Sequence, residues 1–143
     1  EIQNFRSGQP FTHKEMDEII NLAAPSHIDG LTLLGGEPLA PANIETTLDI
    51  IRTFRLVYGN TKTVWLWSGF QLNFDLDGSP HYYRGNRFQD KPQFFHRELL
   101  SLIDVLVDGR WEADNYDPRL LWAGSTNQRV INRNIKERRS RFI

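Results

Sequence analysis

The chain has 143 residues and a formal net charge of −1 from 17 Lys/Arg and 18 Asp/Glu, with 39% apolar residues, 24% charged residues and no cysteine. This is enough chain for one hydrophobic core in a globular protein of ordinary composition. The missing cysteines exclude disulfides, thiolate metal sites and cysteine nucleophiles among these residues. No apolar run approaches the roughly 20 residues of a membrane helix. The opening EIQNFRSGQPF lacks the basic and apolar blocks of a signal peptide, and without a Met it is not expected to be the natural beginning. The four histidines, His13, His27, His81 and His96, show no paired metal-ligand spacing.

In chain order, FTHKEMDEIINLAAP predicts an amphipathic helix. Thr12 and Glu15 have the spacing of a capping box, Met16, Ile19, Ile20 and Ala23 form one face, and Pro25 stops it. GLTLLG is a short, nearly all-apolar run, expected to be a strand covered on both faces. PANIETTLDIIRTFRLVYGN predicts a second helix capped at Asn43, with a stripe of Ile44, Leu48, Ile51 and Tyr58, ending at Gly59. KTVWLWSG reads as a second covered strand, QFFHRELLSL as a third helix and DVLVDG as a third strand. Helix and strand alternate three times, which is the pattern of βα units on a parallel sheet. Gly35, Gly69 and Gly109 each follow a strand, at the edge where loops and helix N-termini of parallel α/β folds converge on ligands.

Residues 68–95 show little periodicity. DGSP and RGN are turn signals, LNFDL is a candidate brief strand, and the whole is expected to be a functional loop or a small hairpin excursion. Its aromatic residues Phe74, Tyr82, Tyr83, Phe88 and Phe94 argue against a solvated linker. From Arg129 onward six Lys/Arg stand against Glu137, so the end carries +5 and the preceding residues −6. Such a tail either binds an acidic partner or nucleic acid, or is a solvated terminus. No paired base-reading or stacking motif accompanies it, which ranks a nucleic-acid module last.

The chemistry concentrates at LTLLGGEPLAP. Gly35 and Gly36 leave backbone carbonyls uncovered, Glu37 adds an acceptor-only carboxylate, and Pro38 fixes the turn while removing a donor. A set of acceptors suits a primary ammonium. A phosphate loop would need a lysine or a helix N-terminus instead. A plain strand-to-loop turn with a solvated Glu37 is the other reading of these four residues.

LTLLGGEPLAPAN, followed by VWLWSGF, IDVLVDGRW and GSTNQRVI, resembles the activating protein of anaerobic (class III) ribonucleotide reductase, a small radical S-adenosylmethionine enzyme. The four segments keep the family's order over nearly the whole chain, apart from residues 71–98 and the basic tail. GGEP is shared across radical S-adenosylmethionine enzymes, whereas the DVLVDGR and GSTNQR pair selects this family over the activator of pyruvate formate-lyase or a deazaguanine synthase, with another glycyl-radical-enzyme activase as an alternative. The resemblance implies an α/β fold, a partial (β/α) barrel over residues 1–132 followed by a basic tail at 133–143. It implies S-adenosylmethionine and a [4Fe-4S] cluster as cofactors. The cluster delivers one electron to the sulfonium, and the resulting 5′-deoxyadenosyl radical takes hydrogen from a glycine of the reductase. The implied partners are the anaerobic ribonucleoside-triphosphate reductase and an electron donor such as flavodoxin, in the cytoplasm, with no membrane and no nucleic acid.

Carried onto this chain, the resemblance places the S-adenosylmethionine amine at Gly35, Gly36, Glu37 and Pro38, and its nucleoside or methionine part beside Trp67, Ser68 and Gly69. Asp108 is expected near the ligand carboxylate or a cation, or as a cap on the following loop. Arg110 is expected to pair with the ligand carboxylate or Asp104, or to lie in a surface ion pair. Asn127, Gln128 and Arg129 are expected to line the mouth or face the reductase, or to form a polar turn into a last strand, with Arg110, Gln128 and Arg129 as the partner-binding set. Trp65 and Trp111 are expected to be packing aromatics. The family holds its cluster on a Cys-x-x-x-Cys-x-x-Cys loop, and cluster iron needs thiolates. That loop and the first barrel strand are expected to fall ahead of Glu1, leaving this chain as written unable to bind the cluster. A cluster-free adaptor that binds S-adenosylmethionine or the reductase is the alternative.

Overall fold

A computed structural model of the chain describes residues 8–72, 82–83, 86–87 and 93–133. Helix α1 (His13–Leu22) begins with the expected capping box, in which the Glu15 carboxylate accepts the Thr12 N–H at 2.7 Å. Its Met16, Ile19 and Ile20 are half-buried and Ala23, just beyond it, is buried, so the predicted face is the inner one. Helix α2 (Ile44–Tyr58) buries Ile44, Thr47, Leu48, Ile50, Ile51 and Phe54 and ends at Gly59. Helix α3 spans Gln93–Leu102.

Strands β1 (Gly30–Leu33), β2 (Thr63–Ser68), β5 (Val105–Asp108) and β6 (Arg129–Asn132) form one sheet in the order β1-β2-β5-β6. The first three are parallel and β6 runs antiparallel to β5. Strands β3 (Tyr82–Tyr83) and β4 (Asn86–Arg87) pair antiparallel as a separate ribbon, which is the small hairpin excursion anticipated within residues 68–95. The candidate strand LNFDL, apart from Leu72, lies outside the described residues, as do Phe74, Phe88, the side chains of Tyr82, Tyr83 and Phe94, and the basic tail from Asn134 onward.

The sheet has two unlike faces. Val64, Leu66 and Leu106 join Leu48, Ile51 and Phe54 of α2 and Leu99 and Ile103 around α3 in a single core. By register and the two-residue period of a strand, Thr32, Trp65, Trp67, Val105, Val107 and Val130 fall on the other face. That face carries no helix among the described residues. The expectation that β1 and β2 are covered on both faces is therefore corrected. Thr32 is exposed and Trp65 and Trp67 are only half-buried, and an apolar run cannot reveal which of its faces lacks a covering layer. Only β5, at the centre of the sheet, is buried along its whole length.

The opposite, N-terminal edge of the sheet is closed. Arg55 of α2 donates to Asp104 Oδ2 at 2.8 Å and to the carbonyls of Leu102, Gly59 and Lys62, while Asp104 also accepts the Val64 N–H at 2.7 Å. Asp104 thus has Arg55 as its cation. Arg110 follows the far end of the four-residue strand, about 13 Å of extended chain away, so the anticipated Arg110–Asp104 pair is not what holds Asp104. Lys62 closes the same edge, donating to the carbonyls of Pro25 and Ile28 at 3.0 and 2.5 Å.

Candidate functional site

The C-terminal edge of the sheet gathers the candidate residues. Beyond β1 the chain passes through Gly35 at φ +80° and Gly36 at φ +48°, in the left-handed region that side chains strongly disfavour. A Cβ added at either glycine would meet nothing within 4 Å. The requirement for glycine there is conformational, and the space above the backbone is open. Among the described residues, no hydrogen bond engages the carbonyl of Gly35 or Gly36.

Glu37 turns the other way. Its Oε1 accepts from Ser68 Oγ at 2.7 Å and from the Leu39 N–H at 3.1 Å, and its Oε2 accepts the Gly69 N–H at 2.8 Å. Ser68 Oγ in turn accepts the Phe70 N–H at 3.0 Å. The carboxylate therefore stitches the loop after β1 to the end of β2 through charge-assisted bonds. The loop is fastened to α2 as well. Asn43 Nδ2 donates to the Glu37 carbonyl at 2.9 Å, and the buried Thr47 hydroxyl donates to the Pro38 carbonyl at 2.9 Å. Asn43 was anticipated as the helix cap, yet its side chain makes no capping hydrogen bond.

Asp108 is wholly buried at the end of β5. Its oxygens receive Arg129 Nε at 2.8 Å, Arg129 Nη2, and the Leu72 N–H at 2.8 Å. Arg129 also donates to the Leu72 carbonyl at 3.0 Å. The pairing with Asp108 raises the guanidinium pKa above its ordinary value and so holds it charged. Asp108 thus has Arg129 as a partner cation, and the loop it bonds is the one after β2 rather than the one that follows it. Gly109, at φ +96°, donates to the Phe70 carbonyl at 3.0 Å.

The loop between β5 and β6 is organised by two of the anticipated mouth residues. Gln128 donates to the Gly109 carbonyl at 2.9 Å and its Oε1 accepts the Gly124 N–H at 2.9 Å. Asn127 Nδ2 donates to the Arg110 carbonyl at 2.7 Å, while its buried Oδ1 has no hydrogen-bond partner among the described residues. This loop carries Trp122, whose φ of +67° is unusual for a residue with a side chain. Trp122 accepts Trp67 Nε1 at its carbonyl at 3.0 Å and packs its ring 5.2 Å from that of Trp65, which stacks on Trp67 at 5.6 Å. Trp65 is thus a packing aromatic, as expected, and it packs on the helix-free face. Trp111 is 58% exposed and lies 6.4 Å from the Tyr116 ring.

The structure thus brings Gly35, Gly36, Glu37, Pro38, Ser68 and Gly69 into one cluster, and Asp108, Arg129, Gln128 and Asn127 into a second. Neighbouring strands lie about 4.8 Å apart. The order β1-β2-β5-β6 therefore separates the glycine loop from β6 by roughly 14 Å. The amine and carboxylate of one amino acid do not span that distance. Asn43, Thr47, Leu72 and Trp122 were not anticipated as site residues. Glu37 and Asn43 are six apart and Trp67 and Trp122 fifty-five apart, and neither spacing is a motif. The φ of Trp122 follows from tertiary contacts that the sequence does not display.

The family described as a 4Fe-4S single cluster domain matches residues 1–131. The anaerobic ribonucleoside-triphosphate reductase-activating protein of Escherichia coli K12 is 35% identical over 126 residues, covering 87% of this chain and 70% of the relative. Its counterpart in Enterobacteria phage T4 is 34% identical, over 89% of this chain and 68% of the relative. That of Haemophilus influenzae is 36% identical, over 91% and 73%. No solved structure gives a significant match. The chain belongs to the family of anaerobic ribonucleoside-triphosphate reductase-activating proteins.

Proposed function

We propose that this chain serves anaerobic ribonucleoside-triphosphate reductase as its activating protein, with S-adenosylmethionine bound at the C-terminal edge of the sheet. The observation that carries this reading is the pair of left-handed glycines, whose carbonyls accept no hydrogen bond among the described residues and whose missing side chains leave open space. Two backbone carbonyls with no partner beside such a space fit a primary ammonium. Glu37 and Pro38 lie beneath them as the brace, since the Glu37 carboxylate is already engaged by Ser68, Gly69 and Leu39. Ser68 and Gly69 carry the floor toward β2, and Trp67 offers an apolar wall to the rest of the molecule. Bound there, S-adenosylmethionine would supply, on one-electron reduction of its sulfonium by an iron-sulfur cluster, the 5′-deoxyadenosyl radical that takes a hydrogen from a glycine of the reductase.

The cluster finds no ligands in this chain. Cluster iron is held by thiolates, there is no cysteine, and no metal-ligating group of three His, Asp or Glu occurs among the described residues. The chain's own residues bind, orient and exclude water. In this reading the helix-free face is the inner wall of a partial (β/α) barrel of the radical S-adenosylmethionine type, with Asp108 and Asn127 along its rim. Arg110, Gln128 and Arg129, beyond β5 on the side of the sheet away from the glycine loop, face the reductase. An electron donor such as flavodoxin and a cytoplasmic location complete the proposal. No helix among the described residues is long and apolar enough to cross a membrane.

The test is calorimetric titration of S-adenosylmethionine into the purified chain, alongside co-elution with the reductase. Saturable binding that Gly36→Val abolishes is the expected result, and an equal heat from both proteins would sink the assignment. The absence of cysteine favours a second reading, a cluster-free adaptor that binds the ligand or the reductase. Reductase binding with no iron retained after anaerobic reconstitution would select it.

A further inference from the structure

Asn43 occupies the position from which an Asn ordinarily caps a helix, accepting an N–H of the first turn through its Oδ1. Here it makes no such bond and turns its amide toward the Glu37 carbonyl. The neighbouring bonds show what that contact completes. The Glu37 carbonyl takes both the Ala40 N–H at 3.1 Å and Asn43 Nδ2 at 2.9 Å, and the Pro38 carbonyl takes the Thr47 hydroxyl. The Glu37 carboxylate takes three donors. Every carbonyl of Glu37 and Pro38 is therefore held from α2 or the turn leading into it, while those of Gly35 and Gly36 are left free. Glycine backbone is the least restrained of all, so two adjacent glycines keep a fixed pair of carbonyl directions only if the next peptide is anchored.

We infer that Asn43, supported by Thr47, is a positioning residue for ammonium recognition. It anchors the Glu37 peptide so that the Gly35 and Gly36 carbonyls, which accept no hydrogen bond among the described residues, keep fixed directions. This rests on the reading of that space as an amine site. Neither Asn43 nor Thr47 touches the ligand; each acts through the loop.

Substitution with aspartate separates this role from helix capping. Asn43→Asp keeps the cap acceptor and adds a negative charge at a helix N-terminus, which favours the helix, but it cannot donate to the Glu37 carbonyl. The expected result is a melting temperature at or above that of the parent, faster amide exchange at Gly35, Gly36 and Glu37, and a dissociation constant for S-adenosylmethionine raised about five- to tenfold, the worth of one such hydrogen bond. Thr47→Ser, which keeps the hydroxyl, is expected to bind as the parent does, whereas Thr47→Val weakens binding. Unchanged exchange at the two glycines in Asn43→Asp overturns the inference whatever the ligand does. Faster exchange with unchanged affinity overturns it too. If the parent itself takes up no S-adenosylmethionine while the exchange still rises in the variant, the anchoring stands and the amine-site reading fails.

Discussion

The two edges of the sheet use the same device to opposite ends. At the N-terminal edge, Asp104 knits β5 to β2 and is answered by Arg55, whose guanidinium also fills three carbonyls. At the C-terminal edge, Glu37 knits the loop after β1 to β2, and Asp108 knits β5 to β6 and to the loop after β2. A long cation reaches across the first edge and closes it. At the second, left-handed glycines lift the backbone clear and leave acceptors exposed. Carboxylates brace both edges, and what differs is that the Gly35 and Gly36 carbonyls at the second accept no hydrogen bond among the described residues. An edge with spent carbonyls contributes stability alone, while an edge with free ones can also recognise a donor.

The strongest way to break this contrast is Asp104→Ala. It leaves the buried Arg55 guanidinium without its carboxylate, and losing one partner of a buried pair costs about 3–5 kcal/mol. Urea unfolding is expected to show that loss, while the folded fraction keeps its ligand affinity. Glu37→Gln comes next. Exchanging the charged acceptor of three bonds for one amide oxygen is expected to cost about 1.5–3 kcal/mol and to weaken S-adenosylmethionine binding together with stability. Parent-like affinity in that variant would uncouple the brace from the site.

A matched pair of glycines sharpens the comparison. Gly36 and Gly59 both have positive φ and open space around an added Cβ. Alanine at either is expected to cost about 1–2 kcal/mol of stability through backbone strain. Only Gly36→Ala should lower ligand affinity, and an equal effect from Gly59→Ala would show that binding merely follows stability. The smallest effect concerns His96 on α3, whose ring bonds to the Leu39 backbone just after the glycine loop and whose pKa is lowered, chiefly by burial. A histidine with a depressed folded pKa stabilises the fold above its unfolded value and loses that contribution as pH falls through the folded value. Stability is therefore expected to rise with pH through the range just below 6.5, and His96→Gln should flatten that rise in a series of melts.

Much of this architecture was legible in the chain. The Thr12 and Glu15 capping box, the stripe of Ile44, Leu48 and Ile51, and the strands ending at Gly35, Gly69 and Gly109 all depend on local spacing, which a sequence displays directly. Glycines and an acid at the end of β1 likewise announced a loop with uncovered acceptors. The direction of the Glu37 carboxylate was hidden, because its partners Ser68 and Gly69 lie more than thirty residues away on the neighbouring strand. The Arg55–Asp104 pair was hidden for the same reason, with α2 and β5 brought together only by the packed core. Asn43 misled because its residue type fits a helix cap at that position, and only the folded loop offers its amide a competing acceptor. That the face carrying Trp65 and Trp67 lacks α1, α2 and α3 was invisible because both read as core residues whichever face the helices take.

That face also makes the molecule report on itself. Trp65, Trp67 and Trp122 sit together on the side of the sheet away from the helices, and Trp111 stands on the same loop as Trp122. These four are all the tryptophans of the chain. Its tryptophan fluorescence therefore carries no direct signal from α1, α2 or α3. The stacked Trp65 and Trp67 rings are close enough to couple their electronic transitions, giving a paired band in far-ultraviolet circular dichroism. A molecule settling against that face would change the optical spectrum without a label, and one docking on the helices would leave it dark.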